Sequence, residues 1–470
     1  MPGLLVAVVL IASLILVHFS IRAQPLPPNC PLNVDEGLPL PEAGQASTVF
    51  SLTALFGAYF GIALLLGLPA LLGLAFGTAL GFFLIRIWLD RHKPKRFEPF
   101  LSGLLKGNDG NATIYALLIC GVQCTYAASE LLILREIAKV SLGVRADLAT
   151  FVAVGAAVIG YFYILTGGYV GVFRTDVVQF LLVGTMGVVF GVFLLVHKPV
   201  AGFSAGLFPR PGYWKLPLGI SGFPLYVYHF ALATIMGGGL LAASPDAWKR
   251  VFMARQKAGP GGGRFLVFVI VGTLPFLMLL PFALAIGPIP DGTVNTGQIF
   301  SSLLSGDALF VVAALGLIAS FLSSFDGALL ASVHLGLMLR RKKLEQQDAT
   351  QSEMSRFHWL MVAALLTVFL LFRSLVGFSN PYLLGNLLLG PYALIAGIQA
   401  GTRGDISLLR ENTVLWVTVL GIVGWFFYFV SIGIPRVPTT YQINTVPGGV
   451  LLFFVIALTC QALVHWRAKE

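Results

Sequence analysis

Apolar segments of about 20 residues recur along the chain, and short polar segments separate them. An α-helix needs a stretch of that length to cross a bilayer, so each segment is a candidate transmembrane helix. The pattern predicts an all-α polytopic membrane protein with about 13 transmembrane helices. The predicted spans cover 3–19, 47–66, 68–88, 112–136, 147–166, 175–197, 224–243, 265–288, 308–339, 357–376, 382–401, 413–434 and 447–466.

Composition and charge agree with a membrane location. Of 470 residues, 57% are hydrophobic and 11% are charged, which is more apolar surface than a water-soluble core can hide. The net charge of +10 reflects Lys and Arg concentrated in 86–98, 244–264, 340–356 and 402–412. Basic loops face the cytoplasm, so we expect a plasma or bacterial inner membrane protein with its N-terminus outside and its C-terminus cytoplasmic. We interpret the positive charge in this way and not as affinity for nucleic acid.

The N-terminal segment favours a retained helix. No basic residue precedes the apolar run 3–19, whereas a secretory signal normally begins with positive charge. We therefore expect an extra transmembrane helix at 1–21 and a Pro-rich linker at 22–46, with cleavage after Ala23 as the alternative.

Two of the predicted spans contain glycines that can interrupt a helix. Gly57 and Gly61 lie in 47–66, and 237–239 are three successive glycines in 224–243. Transporters are often built from two inverted repeats that open with such broken helices, and this spacing predicts five helices in each repeat. The alternative is that these glycines only allow membrane helices to pack closely.

Three hydroxyls share one helical face in the span 308–339. Ser320, Ser323 and Ser324 are spaced i, i+3 and i+4, and Asp326 follows them. Hard oxygen donors suit a small hard cation, and a buried carboxylate in a bilayer needs a partner. The alternative is that the hydroxyls bond back to their own helix.

Three stretches resemble the sodium:solute symporter family, which includes the sodium/glucose and sodium/proline cotransporters. Residues 167–179 read Gly-Gly-Tyr-x-Gly-Val-x-x-Thr-Asp-x-x-Gln, which departs from the family signature at Tyr169 and Gly171. Residues 246–250 read Asp-x-Trp-Lys-Arg, and 323–330 read Ser-Ser-Phe-Asp-Gly-Ala-Leu-Leu. The likeness covers roughly 47–340 well and the last spans only by hydropathy.

The resemblance implies the leucine-transporter-type fold, a 5+5 inverted repeat. The repeats would occupy 47–197 and 224–401, joined by an outer loop at 198–223, with two more helices in 402–470. In that family a sodium ion binds between the first and eighth core helices. The family's sodium ligands fall here on the hydroxyls of Ser323 and Ser324 and on the backbone carbonyls of Ser320, Ser47 and Phe50.

The resemblance also suggests secondary roles. Asp176 would lie on the cytoplasmic exit path of the ion, unless it only stabilises a helix N-terminus. We expect Asp326 to form a hydrogen bond to another helix or to a cation ligand, without contacting the cation itself. Candidates for the solute pocket, each of which is alternatively an ordinary helix–helix contact, are Tyr59, Gln123, Tyr126, Tyr228 and His229.

The sequence thus predicts sodium-coupled symport of a small organic solute by alternating access. No catalytic constellation is evident, so we expect no enzyme activity, no organic cofactor and no obligate protein partner. One alternative is proton coupling through Asp176, Asp326 or Glu130. Another is a membrane solute sensor with the same fold, although no signalling domain follows Glu470.

Overall fold

The structure is a computed structural model that describes residues within 69–90, 117–139, 145–197, 224–234, 312–329 and 351–371, and at 247 and 251, with gaps inside several ranges. Every described residue except Arg145 is helical. This agrees with the predicted all-α class. The predicted helix count, repeat boundaries and spans at 3–19, 47–66, 265–288, 382–401, 413–434 and 447–466 lie outside the described residues.

Two helices are described from end to end. Helix α1 covers Ala146–His197 and helix α2 covers Gln351–Leu371. The first turn of α1 carries Asp147, whose charge suits a helix N-terminus, and the Ala149 amide donates to the Arg145 carbonyl at 3.0 Å. Helix α2 begins six residues before the predicted span 357–376 and ends before it does.

Helix α1 corrects one prediction. The sequence predicts a connection between spans 147–166 and 175–197, yet the backbone is helical throughout Ala146–His197. No proline lies in this helix, so no backbone hydrogen bond has to be lost. Glycines such as Gly167 and Gly168 cost only about 1 kcal/mol each in a helix interior, which does not force the helix to end.

Contacts at both ends of the segment 312–329 show that α1 is bent. A β-carbon built at Gly160 would lie 2.7 Å from Cε1 of Phe325, and one built at Gly316 would lie 2.5 Å from Cβ of Met186. A straight α1 would separate Gly160 from Met186 by ~39 Å, whereas Gly316 and Phe325 are only ~14 Å apart along their helix. Side-chain reach extends that span to roughly 28 Å at most, so α1 changes direction between Gly160 and Met186.

The described part of 69–90 crosses the described part of 224–234 at very short range. A β-carbon at Gly73 would meet the carbonyl oxygen of Phe230, and one at Gly77 would lie 2.8 Å from Cα of Thr234. The rings of Phe76 and Phe230 are 5.9 Å apart at the same crossing. Glycine lets the two backbones touch here, as in closely packed membrane helices.

Two further contacts join the remaining described segments to α1. Arg135 in 117–139 donates from Nε to Oγ1 of Thr150 at 3.1 Å. The buried ring of Tyr161 lies 4.5 Å from the ring of Trp359, which attaches α2 to α1. Helix α1 is therefore in contact with 117–139, 312–329 and α2.

The segment 69–90 is apolar on two faces. One face is buried in the protein, and its large side chains are at most 2% exposed: Leu71, Leu74, Phe82, Ile85 and Leu89. The other face is 40–59% exposed, and its side chains recur every three or four residues: Leu72, Phe76, Leu80, Phe83 and Ile87. Among the described residues, no helix is both long enough and apolar enough to qualify as a membrane crossing.

Candidate functional site

The candidate site lies on the segment 312–329, most of whose described residues are buried. Ala319, Leu322, Phe325 and Leu329 are at most 8% exposed, and the Asp326 side chain is fully buried. These buried side chains share one broad face of the helix, because most of them recur every three or four residues. This face is therefore packed against the rest of the protein.

Asp326 is a buried acid whose two oxygens differ. Its Oδ1 accepts the Gly327 amide at 2.8 Å. Its Oδ2 has no hydrogen-bond partner in the part of the chain that the structure describes. A buried carboxylate oxygen without a partner costs free energy, which singles out this position as a place where a proton or a cation can bind. The expected inter-helix bond of Asp326 is not among the described contacts, and the bond that is described is local.

Most residues predicted to bind sodium lie outside the described residues. This holds for Ser320, Ser323 and Ser324 on the eighth core helix and for Ser47 and Phe50 on the first. Their described neighbours Ala319, Leu322 and Phe325 are buried. The predicted ligand set stays a prediction.

The backbone of Asp176 lies within α1, and its side chain is outside the described residues. It precedes Gln179 by one helical turn, so both residues share a helical face. The role of Asp176 on an ion path stays a prediction.

The predicted solute-pocket residues are described only in part. Tyr228 and His229 follow one another on the helical segment 224–234, and their rings are 5.7 Å apart. His229 is buried and Tyr228 is half-buried, beside the glycine crossing with 69–90. Gln123 is half-buried on 117–139. Tyr59 and Tyr126 lie outside the described residues.

Sequence analysis overlooked two buried polar residues. Gln179 on α1 is 4% exposed, and its Oε1 has no hydrogen-bond partner among the described residues. Oγ1 of Thr78 is also buried without such a partner. Gln179 closes the Thr-Asp-x-x-Gln stretch at 175–179, so a signal for it was present in the motif. Thr78 stands in an apolar run that carries no such signal.

The described residues contain no group of three or more His, Cys, Asp or Glu side chains that could hold a metal ion. Such groups are typical of transition-metal sites, whereas a sodium ion takes hydroxyl and carbonyl oxygens. The predicted sodium ligands are of that second kind.

The chain matches no protein-family model, and no curated protein matches it by sequence. It shares its fold with a substrate-bound, outward-open Na+-coupled sialic acid symporter that has a novel Na+ site. The two are 14% identical with a TM-score of 0.68, over 99% of this chain and 98% of that chain. A mutant of the Eremococcus coleocola manganese transporter aligns at 13% identity and a TM-score of 0.46, over 89% of this chain and 94% of that one. The likeness to the symporter structure shows the fold that this chain adopts.

Proposed function

We propose that this protein is a secondary active transporter that couples sodium flow to the uptake of a small organic solute by alternating access. The observation that carries the proposal is the shared fold with a Na+-coupled symporter over nearly the full length of both chains. The motifs at 167–179, 246–250 and 323–330 support membership of the sodium:solute symporter family.

Exposed apolar side chains support a place in the membrane. Val188, Val192 and Val196 recur every four residues on α1 and are 57–71% exposed, like the exposed face of 69–90. A helix that is apolar on its buried and its exposed faces is stable where the surroundings are apolar as well. Lipid provides such surroundings, and the basic loops then orient the N-terminus outward.

The proposed mechanism depends on a preference of the ion for one conformation. Sodium would join the first core helix to the eighth through Ser47, Phe50, Ser320, Ser323 and Ser324. Each charge that moves inward releases about 2.3 kcal/mol per ~100 mV of membrane potential. That energy drives solute uptake only if sodium binds one state more tightly than the other, because equal affinity shifts no population.

Uptake by proteoliposomes tests the proposal. A library of labelled sugars, amino acids and carboxylates is offered with and without an inward sodium gradient. We expect sodium to raise the uptake of one class, and Ser323→Ala combined with Ser324→Ala to abolish that increase without loss of inserted protein.

The control variant is Thr367→Ala, because Thr367 is exposed and its described hydrogen bond is a donation to Ala363 in its own helix, at 2.8 Å. This variant should transport like the wild type. Unchanged sodium-dependent uptake in the double serine variant would refute the assigned ion site.

Asp326 favours a second candidate, a proton-coupled symporter. Its Oδ2 is buried and has no partner among the described residues, so a proton could occupy it. In sodium-free vesicles, an inward proton gradient would then drive uptake, and Asp326→Asn would eliminate this effect. If the proton gradient drives no uptake while the sodium gradient does, this candidate is excluded.

A further inference from the structure

We propose that the side-chain oxygen of Gln179 contacts the transported cation between α1 and the segment 312–329. This inference rests on the proposed function, because it assumes a cation that passes this interface. It adds Gln179, which ends the motif at 167–179, to the predicted cation ligands, none of which lies on α1.

Gln179 lies on the side of α1 that packs against the segment 312–329. It precedes Met186 by two helical turns, and residues seven apart occupy the same helical face. Met186 is fully buried and contacts Gly316, and Val183, between the two on this face, is 2% exposed. The described residues of this face therefore form a continuous buried stripe.

The register of the two helices sets the level of Gln179 along the segment 312–329. Three predicted connections separate the spans 175–197 and 308–339, so these spans run in opposite directions. In an antiparallel pair that is aligned at Met186 and Gly316, Gln179 lies level with the stretch between the buried residues Leu322 and Phe325, where the sequence predicts cation-binding hydroxyls. The predicted ion-path acid, Asp176, lies one turn further along the same face of α1.

The buried amide oxygen of Gln179 indicates that a ligand binds there. Oε1 is buried without a hydrogen-bond partner among the described residues, and such an amide oxygen is costly in an apolar interior. A cation that passes at this level would satisfy it, since amide carbonyls are hard oxygen ligands. A residue that only fills space could be Leu or Met at no such cost.

Sodium binding to the purified full-length protein tests this inference without knowledge of the solute. Radioactive sodium measures the dissociation constant, and thermal unfolding in sodium chloride against choline chloride measures the stabilisation by the ion. In Gln179→Leu we expect the dissociation constant to rise about tenfold or more and the sodium-dependent shift to disappear. Gln179→Glu keeps an oxygen at this position and should bind sodium within about threefold of the wild type.

Thr78→Val is the matched control, because it removes a buried hydroxyl that also has no partner among the described residues but lies on 69–90. It should bind sodium like the wild type. If Gln179→Leu does not fold, Gln179→Asn can replace it, because asparagine withdraws the amide by one methylene. The same loss of sodium affinity is expected in this variant.

The outcomes separate this inference from the proposed function. If Gln179→Leu binds sodium like the wild type and unfolds at a higher temperature, Oε1 is an unpaired oxygen that contacts no cation. This result would overturn the inference about Gln179 but not the proposed function. Loss of binding in the double serine variant would in that case leave the proposed function intact. A wild-type protein that binds no sodium would overturn both.

Discussion

Threonine hydroxyls show how side chains in this protein satisfy their hydrogen bonds. Thr150, Thr234 and Thr367 each donate to the carbonyl four residues earlier, at 2.8 Å. This local bond is the alternative that the sequence analysis left open for the three serines of 308–339. Thr78 differs, since no partner of its Oγ1 is described. A helical hydroxyl in this chain is therefore not evidence of a cation site, and the site has to be argued from the packing around it.

Gly160 tests the packing beside the candidate site. A β-carbon there would lie 2.7 Å from the buried ring of Phe325, next to Asp326. We expect Gly160→Ala to lower the free energy of unfolding by about 1–3 kcal/mol, because the ring must move in a closely packed interior. Thermal unfolding of the purified protein measures this change.

Gly155→Ala is the control for this prediction, since no atom lies within 4 Å of a β-carbon built at Gly155. Alanine is the better helix former by about 1 kcal/mol, so this variant should be as stable as the wild type or more stable. Equal stability of the two alanine variants would contradict the contact between Gly160 and Phe325.

At the scale of elements, the bend in α1 determines which helices can meet. It lets one continuous helix contact 312–329 at both Gly316 and Phe325. A bend inside a helix takes the place of the predicted connection. Glycine is the weakest helix former in this stretch, and Gly167, Gly168, Gly171 and Gly184 all lie between the two contact points.

Cysteine crosslinks test the bend. In a background without native cysteines, the pair Met186→Cys with Gly316→Cys should form a disulfide under mild oxidation, and so should Gly160→Cys with Phe325→Cys. A disulfide needs β-carbons roughly 3.5–4.5 Å apart. A β-carbon at Gly316 comes closer than this to Cβ of Met186, and a β-carbon at Gly160 contacts the ring of Phe325, which the cysteine removes. Shifted mobility on denaturing gels reports each crosslink.

Val188→Cys with Gly316→Cys is the control for these crosslinks, because Val188 is 60% exposed and does not share the buried face of Met186. It should not crosslink. The bend is argued from both contacts together. Formation of only one of the two predicted crosslinks would therefore contradict it.

At the scale of the whole molecule, the exposed apolar face of 69–90 indicates how the protein meets its surroundings. In a bilayer, Leu80→Asp would place a charge in the middle of this face, at a cost of about 2.5–3.5 kcal/mol near the bilayer centre. We expect less of this variant to remain in membranes after an alkaline wash, as measured by immunoblot.

Ile87→Asp is the matched control for Leu80→Asp. It lies at the end of the same face, beside the ion pair of Arg86 and Asp90 at 3.3 Å, where polar groups already occur. A charge near an interface costs much less than one at the centre, so this variant should insert almost normally. Full insertion of both variants would contradict contact between this face and lipid.

The helical class could be read from the sequence, because long apolar runs allow few other structures. The described residues of 312–329 and all but the last two of 69–90 fall inside predicted spans, and the sequence indicates Asp326 as a buried acid. Gln179 was overlooked, since a glutamine in a motif does not reveal whether its oxygen finds a partner. The break at 166–169 was misplaced, because glycine weakens a helix without ending it.

The sequence by itself determined that this protein is helical and apolar, since hydropathy and helix length depend only on the order of residues. Tertiary structure alone decided which polar atoms are left without partners and that α1 bends around 312–329. Those properties arise from contacts between residues far apart in the chain, such as Gly160 with Phe325 and Met186 with Gly316, and no local pattern encodes these distances.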